Sequence, residues 1–148
     1  LADEDAPDLL FDFAALPGAA RGALGPGLPP FWCADEALAA AIAAAGAREN
    51  DPVWRLPFWE PYDKLLDGKI SDLNNVSSGP FAGAVAAALF LRRFVSKAKA
   101  WTHFDVYGWS PAPRPGRPEG GEIQTARLVF ALIEQRSRDG GLAPAGAS

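Results

Sequence analysis

Hydrophobic and polar positions along the chain divide it into a run of short elements. Leu9 to Ala15 (LLFDFAA) is apolar except for Asp12 and ends in Leu-Pro-Gly, which predicts a buried strand running into a turn. Gly22 to Pro30 is rich in Gly and Pro and reads as a loop. Asp35 is placed as an N-cap for a helix from Glu36 to Ala45, with Gly46 set to end it. That helix is mostly alanine, so high intrinsic propensity supports it and its small side chains allow close packing. Asp51 to Trp59 (DPVWRLPFW) is a stiff, extended stretch with aromatic anchors, and Pro61 to Leu66 has room for one or two helical turns.

Farther on, Ile70 to Val76 reads as extended and Phe81 to Val95 as a helix that turns polar only at Arg92 and Arg93. Trp101 to Tyr107 (WTHFDVY) alternates and predicts a strand. Ser110 to Gly121 is loop, and Glu122 to Arg136 is the last helix, with Ile123, Ala126, Phe130 and Ile133 spaced along one face. The tail after Arg138 is mostly Gly, Ala and Ser, so a flexible tail is expected over residues 139–148. Strands alternate with helices, so the pattern predicts an α/β fold with one body over residues 1–138.

Composition narrows the picture. The 148 residues are 49% hydrophobic and 22% charged, with a net charge of -4. This is ordinary for a soluble globular chain, and the acidic balance argues against nucleic acid or an anionic membrane as partner. The longest apolar run, Phe81 to Leu91, is shorter than a membrane-spanning helix needs. Cys33 is the single cysteine, so no disulfide forms within the chain, and a reducing, cytoplasmic setting is expected. The chain begins at Leu1 and has no methionine, which is the expectation for a piece of something longer.

The chemistry on offer is incomplete. One histidine and one cysteine do not make a zinc cluster, and no phosphate loop or nucleophile elbow is present. Asp63, Asp67 and Asp72 lack the alternation of a calcium loop and read as solvated carboxylates. His103 and Asp105, two apart on a strand, share a face. They could serve a nucleophile, but none is marked, and a buried structural pair is the plainer reading. Arg114 and Arg117 precede a helix start, where an anion could bind, or form a solvated basic loop. Tyr107 and Trp109 flank Gly108 just past a strand end, and the turn at Leu16 to Gly18 follows another. Ligands of open α/β sheets lodge beyond such ends, although core aromatics would look the same. No catalytic residue is assignable.

Three stretches together resemble the leucyl (cytosol) aminopeptidase family, in the C-terminal part of its catalytic domain. They are DFAALPGAARGALG (Asp12 to Gly25), DPVWRLPFWEPYDKLLDGKISDLNNVSSGPFAGAV (Asp51 to Val85) and WTHFDVYGWSPAPRPGRPEGGE (Trp101 to Glu122). The resemblance implies part of a three-layer α/β/α domain with a mixed, mostly parallel sheet. It also implies a hexameric enzyme that releases N-terminal residues from peptides with two divalent metal ions, Zn, Mn or Mg. The metal ligands and the catalytic lysine and arginine of that family have no counterpart in these residues, because they belong to a motif upstream of the DFAALPGAA strand.

What carries over is the lining of the substrate pocket. Leu16 and Gly18 match positions whose backbone groups meet the substrate. Val76 matches an apolar wall, and Tyr107 and Ser110 fall at two further pocket positions that are small or apolar in other members, so a narrower or more polar pocket is expected. Ala15 and Pro17 replace two threonines of the family turn, and Pro17 removes a backbone N–H. Pro80 stands where glycine is usual. Asn74 and Asn75 are expected to satisfy buried backbone groups where a strand leaves the sheet. Three functions compete: part of an aminopeptidase, a non-catalytic remnant that only associates with family subunits, and an independent small-molecule binder.

Overall fold

A computed structural model describes residues 1–16, 18–68, 71–75 and 79–139. Four strands build the main sheet: β1 (Leu9–Ala14), β2 (Pro30–Cys33), β3 (Trp54–Arg55) and β4 (Ala100–Asp105), in the order β1-β4-β2-β3. β1 runs parallel to β4 and β2 parallel to β3, while β2 and β4 are antiparallel. The sheet is therefore mixed and mostly parallel. The helices are α1 (Ala19–Leu24), α2 (Glu36–Arg48), α3 (Gly83–Arg92) and α4 (Ala126–Arg138). A small ribbon of β5 (Trp109–Ser110) and β6 (Gly120–Gly121) closes the loop after β4.

Alternation along the strands feeds two cores. Phe31, Cys33, Ala100 and Phe104 face one side and pack with Leu38 and Ile42 of α2 and Leu128 and Leu132 of α4. Trp32 faces the other side and packs with Ala20 of α1 and Ala84 and Ala88 of α3. The helices thus cover both faces, giving the three-layer α/β/α arrangement. Small residues let α1 and α3 approach each other closely: a Cβ on Gly83 would stand 3.4 Å from that of Ala19.

Several sequence expectations need correction. The Gly22 to Pro30 stretch is not all loop, because α1 continues to Leu24 and Pro30 starts β2. The Pro-flanked PFWC run gives no alternation signal, since all four residues are buried between two helical layers. Gly46 does not end α2, which continues to Arg48. It sits where the chain folds back: the Asp51 N–H donates to the Gly46 carbonyl at 2.9 Å, and a Cβ there would meet the Asp51 carbonyl oxygen at 2.9 Å.

Residues 71–75 form bends rather than a strand, and Asn75 is exposed. Ile70, Val76 and the paired serines Ser77 and Ser78 lie outside the described residues. The stripe named on the last helix does not face the core. Leu128 and Leu132 are buried there, whereas Phe130 and Ile133 are exposed. Asp35 caps α2 as expected, its carboxylate accepting the Leu38 N–H at 2.8 Å.

Candidate functional site

The parallel strands β1 and β4 end side by side, at Ala14 and Asp105. The backbone leaving β1 is held to the end of β4 by two bonds. The Val106 N–H donates to the Ala14 carbonyl at 2.9 Å, and the Leu16 N–H to the Asp105 carboxylate at 3.1 Å. Asp105 is buried, and burial raises its pKa against the pull of that N–H. Its task is structural: it fixes the turn that carries Leu16 and Gly18.

A cleft opens at these strand ends, lined by Leu16, Gly18, Arg21, Pro26, Asp105 and Tyr107. The structure thus brings together Leu16, Gly18 and Tyr107 from the sequence-derived set. Ser110 is not on this cleft; it is buried in β5 and its hydroxyl donates to the Ala112 carbonyl at 2.9 Å. Val76 lies outside the described residues. The cavity volume is about 10 Å³, about one water's worth. Arg21 occupies the space, its guanidinium carbon 4.5 Å from the centroid of the Tyr107 ring.

Gln124 was not singled out from sequence, yet it organises the floor of this region. Its side-chain oxygen accepts the N–H groups of Tyr107 and Gly108 at 2.9 and 3.1 Å, and its side-chain NH₂ donates to the Pro26 carbonyl at 2.8 Å. One amide therefore clips two loops that are distant in sequence. Gly108 is needed beside it, since its φ of 70° is a left-handed value that a side chain would strain.

Other expected chemistry resolves into structure. His103 pairs with Asp12, not Asp105, at 2.5 Å across the β1–β4 ladder. The two share a face as alternation requires, but the ladder supplies a nearer carboxylate. Arg114 and Arg117 both bind Glu122, so their anion is one of the chain's own side chains. Asp63 pairs with Arg93. Trp109 is exposed and does not line the cleft. Among the described residues no group of three or more His, Cys, Asp or Glu is placed to hold a metal ion, so the described residues do not fit a metal centre.

Comparison with known proteins gives the fold a family. The model of the cytosol aminopeptidase family, catalytic domain, matches residues 1–133. A probable cytosol aminopeptidase of Chlorobium phaeobacteroides is 36% identical over 130 residues, covering 87% of this chain and 26% of the relative. One of Chloroherpeton thalassium is 40% identical over 133 residues, covering 90% of this chain and 25% of the relative. The crystal structure of cytosol aminopeptidase from Coxiella burnetii superposes with a TM-score of 0.85 at 46% identity, over 91% of this chain and 30% of that one. The bottromycin maturation enzyme BotP in complex with Mn gives 0.79 at 28% identity, over 86% of this chain and 29% of that one. This chain spans about a quarter of the length of these curated relatives. With a family match over residues 1–133, the chain belongs to the cytosol aminopeptidase family, within the catalytic domain.

Proposed function

We propose that this chain forms the substrate-side wall of an aminopeptidase site. In this reading Leu16, Gly18 and Tyr107, joined through family resemblance by Val76, line the pocket for the N-terminal residue of a peptide, and Ser110 supports it from behind the cleft. The two divalent metal ions (Zn, Mn or Mg) and the groups that hold them belong to sequence that these residues do not include. The working enzyme is then a cytoplasmic homo-oligomer, a hexamer by family resemblance, and the isolated 148-residue chain does not hydrolyse peptides.

One observation carries the reading. Leu16, Gly18 and Tyr107 converge on one cleft at the carboxyl ends of the parallel β1–β4 pair, where ligands of open α/β sheets bind. A second reading, a non-catalytic remnant that only associates with family subunits, is favoured by the exposed apolar side chains of Phe13, Ile123 and Phe130.

The test uses the pure chain and L-leucinamide, with and without Mn²⁺ or Zn²⁺. The expected result is amide chemical-shift change centred on Leu16, Gly18 and Tyr107, with no leucine released. Release of leucine would overturn the assignment of the metal groups to other sequence. Shift changes confined to another surface, or none, would overturn the pocket assignment and leave the remnant reading.

A further inference from the structure

Most cations of this molecule are matched by a carboxylate. Arg55 pairs with Glu36, Arg92 with Glu60 and Arg127 with Asp51. Arg21 is different. Among the described residues its guanidinium has a ring beneath it, that of Tyr107, and no carboxylate within ion-pair distance. It lines the same cleft as Leu16 and Gly18. The backbone there leaves it room: a Cβ on Gly18 would come within 2.6 Å of the terminal Arg21 nitrogen.

Two consequences follow for a bound ligand. A guanidinium carbon 4.5 Å from a ring centroid is attracted to the ring face, and its N–H groups remain available to an acceptor. The acceptor that suits it is a carboxylate, which takes two parallel N–H bonds. Asp105 is the acidic group on the same cleft; its Oδ1 accepts the Leu16 N–H at 3.1 Å, and Arg21 attracts it from beyond ion-pair distance.

We infer that Arg21, held on the Tyr107 ring, is a specificity-determining cation that selects peptides presenting a carboxylate at this cleft. The inference rests on reading the cleft as the site for a peptide's first residues. The carboxylate can come from an acidic N-terminal side chain or from the C-terminal carboxylate of a dipeptide, and the chemistry at Arg21 is the same.

The test compares three probes on the full chain at physiological ionic strength: L-aspartic acid α-amide, L-leucylglycine and L-leucinamide. Binding is followed through the Arg21 side-chain N–H and the Tyr107 ring resonances. One of the two carboxylate probes is expected to bind about tenfold more tightly than leucinamide, the gain of one charge-assisted pair. The aspartyl probe winning identifies a side-chain carboxylate, and leucylglycine winning identifies the terminal one. Arg21→Ala is expected to remove the difference, and Arg21→Lys to keep part of it while losing the fork geometry. Arg21 is exposed, so these variants should retain the wild-type amide spectrum elsewhere. Leucinamide binding at Leu16 and Gly18 as tightly as the carboxylates, or unchanged preference in Arg21→Ala, overturns the inference and leaves the proposed function standing. No binding by any probe overturns both.

Discussion

The Nδ1 atom of His103 lies 2.5 Å from a carboxylate oxygen of Asp12, directly across the β1–β4 ladder. The other Asp12 oxygen accepts the indole N–H of Trp101 at 2.5 Å. His103 is fully buried and stacks on Trp32 with ring centroids 5.6 Å apart. Its Nε2 has no hydrogen-bond partner, so all of its polar contact is with Asp12. Replacing Asp12 by Ala strands two donors at once, the half-buried indole N–H of Trp101 and a ring nitrogen of the buried His103. The expected cost is about 2–4 kcal/mol, read as a lower denaturant midpoint with an unchanged m-value. A loss below about 0.5 kcal/mol would mean that water replaces the carboxylate. In a double-mutant cycle with His103→Ala the two losses should be clearly non-additive.

Asp51 performs a similar service at longer range. It is 3% exposed and accepts the backbone N–H groups of Thr125, Arg127 and Leu128 at 3.1, 3.1 and 3.2 Å. These are the donors that the start of α4 cannot satisfy by itself. Thr125 holds a φ of 69°, a left-handed conformation that strains a β-branched residue. The Asp51 carboxylate sits where it can fix that conformation. Asp51→Ala is therefore expected to destabilise the chain by about 2–3 kcal/mol, and Asp51→Asn by less. Hydrogen exchange at Thr125, Arg127 and Leu128 should accelerate more than in α2. Equal acceleration in both helices would assign the effect to global unfolding alone.

These two carboxylates mark the limit of what was legible in the sequence. The α/β class, β1, β4, the Asp35 cap and the Ala-rich helix follow from local pattern, because periodicity and capping are local properties. β2 did not, since a strand buried on both faces has no alternation to show. The roles of Asp51 and Gln124 did not either: each acts on residues far away in the chain, and nothing nearby distinguishes it from a loop residue. His103 was correctly read as a buried structural pair but given the wrong aspartate, because cross-strand register is not written in either strand alone. In the cleft, Leu16, Gly18 and Tyr107 are pointed to by their place at strand ends and by family resemblance. Arg21 carries no motif, and only its position over the Tyr107 ring reveals it.

Acid should loosen one particular contact. The Asp3 carboxylate accepts the N–H groups of Ser96, Lys97 and Ala98 at 2.9, 2.9 and 2.7 Å. These bonds, that from Ser96 foremost, hold its pKa at about 2. The folded value is depressed below the ordinary carboxylate value, so the contact is fully present above about pH 4. It is lost as pH falls toward 2. The amide resonances of Ser96, Lys97 and Ala98 should titrate together across that window while those of β4 stay fixed. Asp3→Asn should remove the transition. A shared midpoint near pH 4 would show that the N-terminal turn does not dock as described.

The outer face of α4 predicts behaviour in solution. Ile123, Phe130 and Ile133 are 72%, 70% and 42% exposed, and Phe13 of β1 is 48% exposed on the same groove. β1 is also an edge of the sheet, with β4 on one side and no described strand on the other. An apolar groove beside an open strand edge favours association, since burial removes apolar area from water and pairing satisfies the edge. The isolated chain is therefore expected to self-associate, with a sedimentation coefficient that rises with concentration. Phe130→Lys combined with Ile133→Lys should shift it toward monomer without lowering thermal stability, because neither side chain belongs to the core formed by Leu128 and Leu132. Concentration-independent monomer in the parent chain would count against this face as the driver. Association that persists in the double variant would place the contact at the β1 edge instead, to be tested by a charged substitution at Phe13.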